Sequence, residues 1–267
     1  VRSYLRYLNA PFVECLCTRD TYKSWIMPTV GWAVVPVVEC PDGTVHQDST
    51  EIILALDAAA TDRSVLPSTP RQQFVARLLN FFADEWLLLP AMWYRWGPPE
   101  NMSYLVHEFG AVSAGPDSPP EVRNRAGERA YKAFRATVTS GLLGISEQTV
   151  PALEASYTAF LDDFSAHLDA HQYLLGDRPS LADFGFMAPL YAHLGRDPAP
   201  QVQPSPSHPS PSQPIPAHPS PSWRRSTPIS VVTPRRRYSP AHPIPAHPSP
   251  SQPIPAHHGA ALRPSRS

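Results

Sequence analysis

The apolar positions of the first sixty residues recur at two periods. In VRSYLRYLNAPF, Val1, Tyr4, Leu5 and Leu8 fall on one helical face, and Asn9 suits the end of that helix. PFVECLCT and AVVPVVEC read as strands, Pro41-Asp42-Gly43 as a turn and TVHQ as a short third strand. Asp48 then opens a second helix, STEIILALDA. The order is helix, strand, strand, strand, helix, an α/β arrangement over residues 1–60. A helix docked on a sheet normally arrives from a strand, so the pattern places a first strand and its loop before Val1.

From about residue 68 the period is helical throughout. Thr69-Pro70 is an N-cap followed by proline at the first helical position, and RQQFVARLLNFFADEWLLLPAMWYRW runs apolar at helical spacing. ERAYKAFRATV and VPALEASYTAFLDDFSAHLDAH continue the pattern, and GDRPSLADFGFMAPLYAHLG ends it. Ser180 stands three residues before Asp183, the spacing of a capping box, in which an N-cap hydroxyl and an N3 carboxylate each satisfy the other's free amide. An all-α bundle is expected over 68–199.

The remainder, 200–267, has no apolar period. HPSPSQPIPAH occurs at 208–218 and again at 247–257, and about half of the 35 prolines lie beyond residue 200. Such a segment buries too little apolar surface to offset its chain entropy and is expected to be disordered, with transient polyproline II structure. Arg237, Pro240 and Pro243 fit an SH3-type ligand pattern, although proline-rich sequence matches it readily by chance.

Charge and cysteine content narrow the function classes. Seven of the 22 basic residues and none of the 23 acidic ones fall in 201–267, so the folded part is acidic and poorly suited to nucleic acid. No apolar run is long enough to span a membrane. Three cysteines, Cys15, Cys17 and Cys40, make no disulfide framework, and a reducing cytoplasmic compartment is expected. Cys15 and Cys17 lie two apart on a strand and read as packing residues; no array of metal-ligand spacing occurs, so no metal is expected. Trp93, Tyr94 and Trp96 serve equally well as bundle packing or as the wall of an apolar pocket. Arg19 and Lys23 read as a solvated loop within reach of an anionic ligand.

Three stretches resemble the glutathione transferases: VVPVVECPDG, QDSTEII and YLLGDRPSLADFGFMAPLYAHLG. The resemblance covers roughly residues 1–199 and is strongest at Gly176, Ser180, Ala182 and Asp183. It implies a thioredoxin-like domain, here without its first strand, joined to that family's helical domain. It further implies that Pro36 follows a cis peptide bond, that the backbone of Val35 pairs with the cysteinyl part of glutathione, and that Asp48 and Ser49 hold the γ-glutamyl end. Asp48 and Glu51 also form a capping box by themselves, so capping alone accounts for the acid.

Glutathione as co-substrate, a small apolar electrophile and a homodimeric partner follow from the same resemblance. The family's activating hydroxyl or thiol lies at or before the first helix, which here places it before Val1 and leaves the catalytic residue unassigned. Two readings stay open. One is a transferase that conjugates glutathione; the other is a non-catalytic relative used as a binding or assembly module, with the tail as an interaction arm.

Overall fold

A computed structural model of the protein describes residues 1–32, 34–60, 62–195 and 197–198, together with the backbone of 229–233. The chain begins with α1 (Arg2–Tyr7), whose Tyr4 and Leu5 are fully buried, as the apolar spacing predicts. β1 (Phe12–Leu16), β2 (Val37–Glu39), β3 (Val45–Gln47) and α4 (Ser49–Asp57) follow in the expected order. Between β1 and β2 the sequence reading passed over a helical stretch. It consists of α2 (Arg19–Thr21), a π-helical segment (Tyr22–Ile26) and α3 (Met27–Val30). Its start is set by Thr18, whose hydroxyl accepts from the Thr21 amide at 3.1 Å, and its end by Gly31 at φ +81°.

The sheet has four strands in the order β1-β4-β2-β3, and β4 is Ile229–Thr233. β4 runs parallel to β1, with Phe12 opposite Ile229 and Leu16 opposite Thr233. It runs antiparallel to β2, with Val37 opposite Val232 and Glu39 opposite Ser230. β2 and β3 pair antiparallel, Val37 with Gln47 and Glu39 with Val45. The inner position of the sheet, between β1 and β2, is held by β4 from the far end of the chain. This departs from the expectation of disorder at five residues. ISVVT is rich in β-branched residues and free of proline, so it suits a ladder where its surroundings do not. The rest of 200–267, including the Arg237–Pro243 pattern, lies outside the described residues.

The remainder is helical. α5 (Pro70–Glu85), α6 (Leu88–Trp96), α7 (Met102–Ala114), α8 (Pro120–Phe134), α9 (Val150–Ala170) and α10 (Leu181–Gly195) form the bundle, and a π-helical segment, Arg135–Leu142, extends α8. Thr69 caps α5 by accepting from the Gln72 amide at 3.3 Å. Glycine lets α7 and α8 cross closely: a Cβ at Gly127 would lie 1.9 Å from the Val106 carbonyl oxygen, and one at Gly110 would lie 2.3 Å from that of Arg123.

One apolar cluster joins the sheet layer to the bundle: Tyr4, Leu5 and Leu8 of α1, Val38, Ile52 and Ile53, with Leu181 and Phe184 of α10. Asp57, at the end of α4, is buried beside it and is well partnered. It accepts from the Tyr4 hydroxyl at 2.9 Å, the Ser64 hydroxyl at 2.7 Å and the Val65 amide at 2.9 Å. A buried carboxylate with three donors is held rather than stranded. The Leu181 amide in turn donates to the Val65 carbonyl at 2.9 Å, which fixes α10 against the link between the two layers.

At the start of α10 the capping arrangement differs in detail from the expected box. Asp183 reaches back to the Ser180 amide at 2.7 Å, as expected. The Ser180 hydroxyl, however, donates to the same carboxylate at 2.7 Å, and the Asp183 amide bonds to the Ser180 backbone carbonyl instead. The other carboxylate oxygen accepts from Leu174 at 2.9 Å, so Asp183 also pins the loop that leads into the helix.

Candidate functional site

The residues singled out for ligand contact meet at one end of the sheet because of strand register. Val37 lies opposite Gln47 in the last registered pair of the β2–β3 ladder, so Pro36 and Asp48 are the next residues beyond that pair on the two segments. The Val35–Pro36 peptide bond is cis, as the resemblance implied. The Gln47 side chain donates to the Val34 carbonyl at 2.8 Å, which ties the segment entering β2 to the end of β3.

Asp48 is the N-cap of α4. Its Oδ1 accepts from the Thr50 amide at 2.8 Å and from the Glu51 amide at 3.2 Å. Its backbone is unusual, at φ +76° and ψ 134°, a region that costs a non-glycine residue on the order of 1–3 kcal/mol. Capping alone does not call for this geometry, since an N-cap normally sits in the β region. Both capping bonds use one oxygen of an exposed carboxylate. Ser49 begins the helix, where backbone amides lack partners within the helix and the dipole favours an anion.

A further carboxylate stands across from this corner, and the sequence reading missed it. The Thr50 hydroxyl donates to Asp84 Oδ2 at 3.1 Å, and the Asn80 side-chain amide donates to Thr50 Oγ1 at 2.9 Å and to Asp84 Oδ2 at 2.8 Å. Asp84 belongs to α5, so this network links the first turn of α4 to the bundle. Burial raises the Asp84 pKa above the ordinary carboxylate value; the hydrogen bond from Thr50 opposes this, and the negative charge of Asp48 adds to it. Two carboxylates at one corner favour a cationic group over an anionic one. Only their one-helix-turn spacing on α5 marked Asn80 and Asp84 in the sequence, and an exposed polar face has the same spacing.

The remaining candidates separate by packing. Trp96 is 1% exposed and stacks on Phe134 at 4.2 Å between ring centres. Tyr94 packs on Tyr157 and His193, and the Trp93 indole donates to Glu154 at 2.7 Å. All three serve the bundle rather than an open apolar wall. Cys17 is buried, and burial pushes its thiol pKa up, against a hydrogen bond with Tyr22; an inert thiol is the result. Arg19 lines a cavity of about 730 Å³ together with Asp20, Asp117 and Arg129. None of Val35, Pro36, Asp48 and Ser49 lines that cavity.

The family model described as "Glutathione S-transferase, N-terminal domain" matches residues 1–64. Residues 1–64 are a thioredoxin-like glutathione S-transferase N-terminal domain. A mostly helical remainder follows this transferase domain in the chain. Among solved structures, a glutathione S-transferase domain-containing protein of Marinobacter aquaeolei VT8 is 19% identical, with a TM-score of 0.39, over 71% of this chain and 78% of that one. Gtt2 from Saccharomyces cerevisiae is 21% identical, with a TM-score of 0.40, over 70% of this chain and 78% of that one. No curated protein matches the chain. The transferase domain match encloses Val35, Pro36, Asp48 and Ser49, and it stops short of Asp84.

Proposed function

We propose that this chain binds glutathione at the end of the sheet and uses it in transferase chemistry. The observation that carries the reading is the juxtaposition, through strand register, of the cis Val35–Pro36 segment with Asp48 in its positive-φ cap. The Val35 backbone would pair with the cysteinyl backbone of the tripeptide. The amide and hydroxyl of Ser49, at the positive end of α4, would take the γ-glutamyl carboxylate. The second oxygen of Asp48, with Asp84 behind it, would take the γ-glutamyl ammonium. In the reaction, the glutathione sulfur attacks an electrophilic carbon of a small apolar substrate, the thiol proton passes to solvent and the leaving group departs. Val35, Pro36, Asp48 and Ser49 are contact residues in this scheme, and the group that activates the thiol is not among them. The three free cysteines fit a reducing cytoplasmic setting, and no helix among the described residues is long and apolar enough to cross a membrane. Retention on immobilised glutathione and conjugation of a chromogenic electrophile test the two halves separately. Retention without conjugation supports binding alone, and failure of both removes the reading.

A specific observation also favours an assembly role. Phe74, Leu78 and Phe81 of α5 are 66%, 53% and 62% exposed at helical spacing, which makes an apolar stripe. A second copy of the chain is the partner proposed here. Sedimentation of the full chain should then show a dimer that Phe81→Arg converts to monomer; a monomeric wild type contradicts it.

A further inference from the structure

The end of α9 brings two imidazoles together. His167 lies in its last turn and His171 is its C-cap, four residues on, the spacing at which side chains become neighbours. Their ring centres lie 4.8 Å apart. His171 is exposed and His167 half-buried, so solvent reaches the pair. Ending the helix here needs neither ring. The His171 amide donates to the His167 carbonyl at 2.9 Å, and the His171 backbone then leaves the helix at φ −135° and ψ 137°.

The His167 ring is oriented from behind. Its Nε2 lies 3.3 Å from the Tyr173 carbonyl oxygen. A carbonyl only accepts, so Nε2 carries the hydrogen and, in the neutral ring, Nδ1 keeps its lone pair. A histidine N–H given to a backbone carbonyl is the common support of a metal ligand, because it fixes the tautomer and makes the other nitrogen more basic. Tyr173 is itself held: its amide donates to the Gly176 carbonyl at 3.1 Å, and its carbonyl accepts from the Gly176 amide at 3.4 Å. The next residue, Leu174, donates to Asp183 at 2.9 Å, so the loop that aims His167 is fastened to α10. Two nitrogens at ~2.0–2.1 Å from one tetrahedral ion stand ~3.3 Å from each other. Rings centred 4.8 Å apart reach that separation by rotation about their side-chain bonds. Position adds to the fit, since α9 is 21 residues long and the C-terminal end of a helix favours a cation.

We propose that His167 and His171 form a two-histidine site for a late first-row divalent cation, Zn²⁺ or Cu²⁺. Imidazole suits these ions, whereas Mg²⁺ and Ca²⁺ take oxygen ligands. No third His, Cys, Asp or Glu completes a metal-binding group among the described residues, so water fills the other positions. The sequence reading expected no metal because it sought longer ligand arrays, and an isolated pair one helical turn apart falls below that. The site lies on the bundle and does not rest on the glutathione reading.

Diethyl pyrocarbonate, which acylates accessible neutral imidazoles, tests this on the full chain. Mass mapping of fragments reads each histidine separately and so keeps α9 apart from the six histidines of 201–267. As Zn²⁺ is raised, His167 and His171 should lose reactivity together, at least tenfold, while the exposed His107 of α7 keeps its own. Mg²⁺ should protect neither. In His171→Asn, Zn²⁺ should no longer protect His167; in His167→Gln it should no longer protect His171. His193, 4% exposed, reports the fold: it stays unreactive while the bundle is intact, and if one variant exposes it the other variant decides. No joint protection in the wild type, equal protection of His107, or protection of one histidine that survives loss of the other overturns the proposal.

Discussion

The Tyr157 hydroxyl and the Nε2 of His193 lie 2.6 Å apart inside the bundle, joining α9 to α10. Burial lowers the His193 pKa from 6.5 to about 4; a backbone hydrogen bond with Pro189 opposes the shift, and the Arg95 charge adds to it. The imidazole is therefore neutral in the fold and protonates far more readily in the unfolded chain. Its contribution to stability is complete above pH 6.5 and is lost as pH falls towards 4. The full difference is about 3 kcal/mol, taken from the shift. Thermal melts between pH 7 and 4 should show that loss, and His193→Asn should flatten it.

Asp183 accepts three hydrogen bonds, from the Ser180 amide, the Ser180 hydroxyl and the Leu174 amide. Asp183→Ala leaves all three donors without their acceptor and should cost about 3 kcal/mol or more, since each buried orphan costs about 1–3 kcal/mol. Ser180→Ala removes one donor and should cost about 1 kcal/mol. The double variant should cost less than the sum, because both changes remove the same bond. Denaturant midpoints of the three variants decide the matter, and equal costs for the singles would contradict the assigned roles.

The close crossing of α7 and α8 leaves no room for a side chain at Gly127, where a Cβ would meet backbone rather than a movable side chain. Gly127→Ala gains helix propensity but forces the two helices apart, a change that costs about 1–3 kcal/mol. The variant should melt below wild type. A higher melting temperature would show that the crossing is looser than described.

Much of the order of elements was legible because it rests on local signals. Thr69-Pro70 starts α5, the Pro-Asp-Gly turn separates β2 from β3, and Asp48 caps α4, each through chemistry contained within a few residues. The helical stretch after β1 was missed because RDTYKSWIMPTV carries no clean apolar stripe; its one local sign is the Thr18 cap. β4 was hidden for a different reason. Its five residues are outweighed by the surrounding prolines in any compositional reading, and its partners, β1 and β2, lie about two hundred residues earlier. Asp84 joins the corner at Asp48 only through tertiary contact, and the roles of Trp93, Tyr94 and Trp96 were decided by what packs against them.

Glutathione binding at Asp48 is the central claim, and Asp48→Asn isolates it. An asparagine keeps an oxygen that can accept from the Thr50 and Glu51 amides, so the cap and the melting temperature should hold, while the charge facing the γ-glutamyl ammonium is lost. Titration calorimetry of the full chain with reduced glutathione should show binding by the wild type. It should also show affinity about tenfold or more weaker in Asp48→Asn, in line with the 1.5–3 kcal/mol typical of a charge-assisted hydrogen bond. No binding heat in the wild type, or equal affinity in the two proteins, would contradict the account.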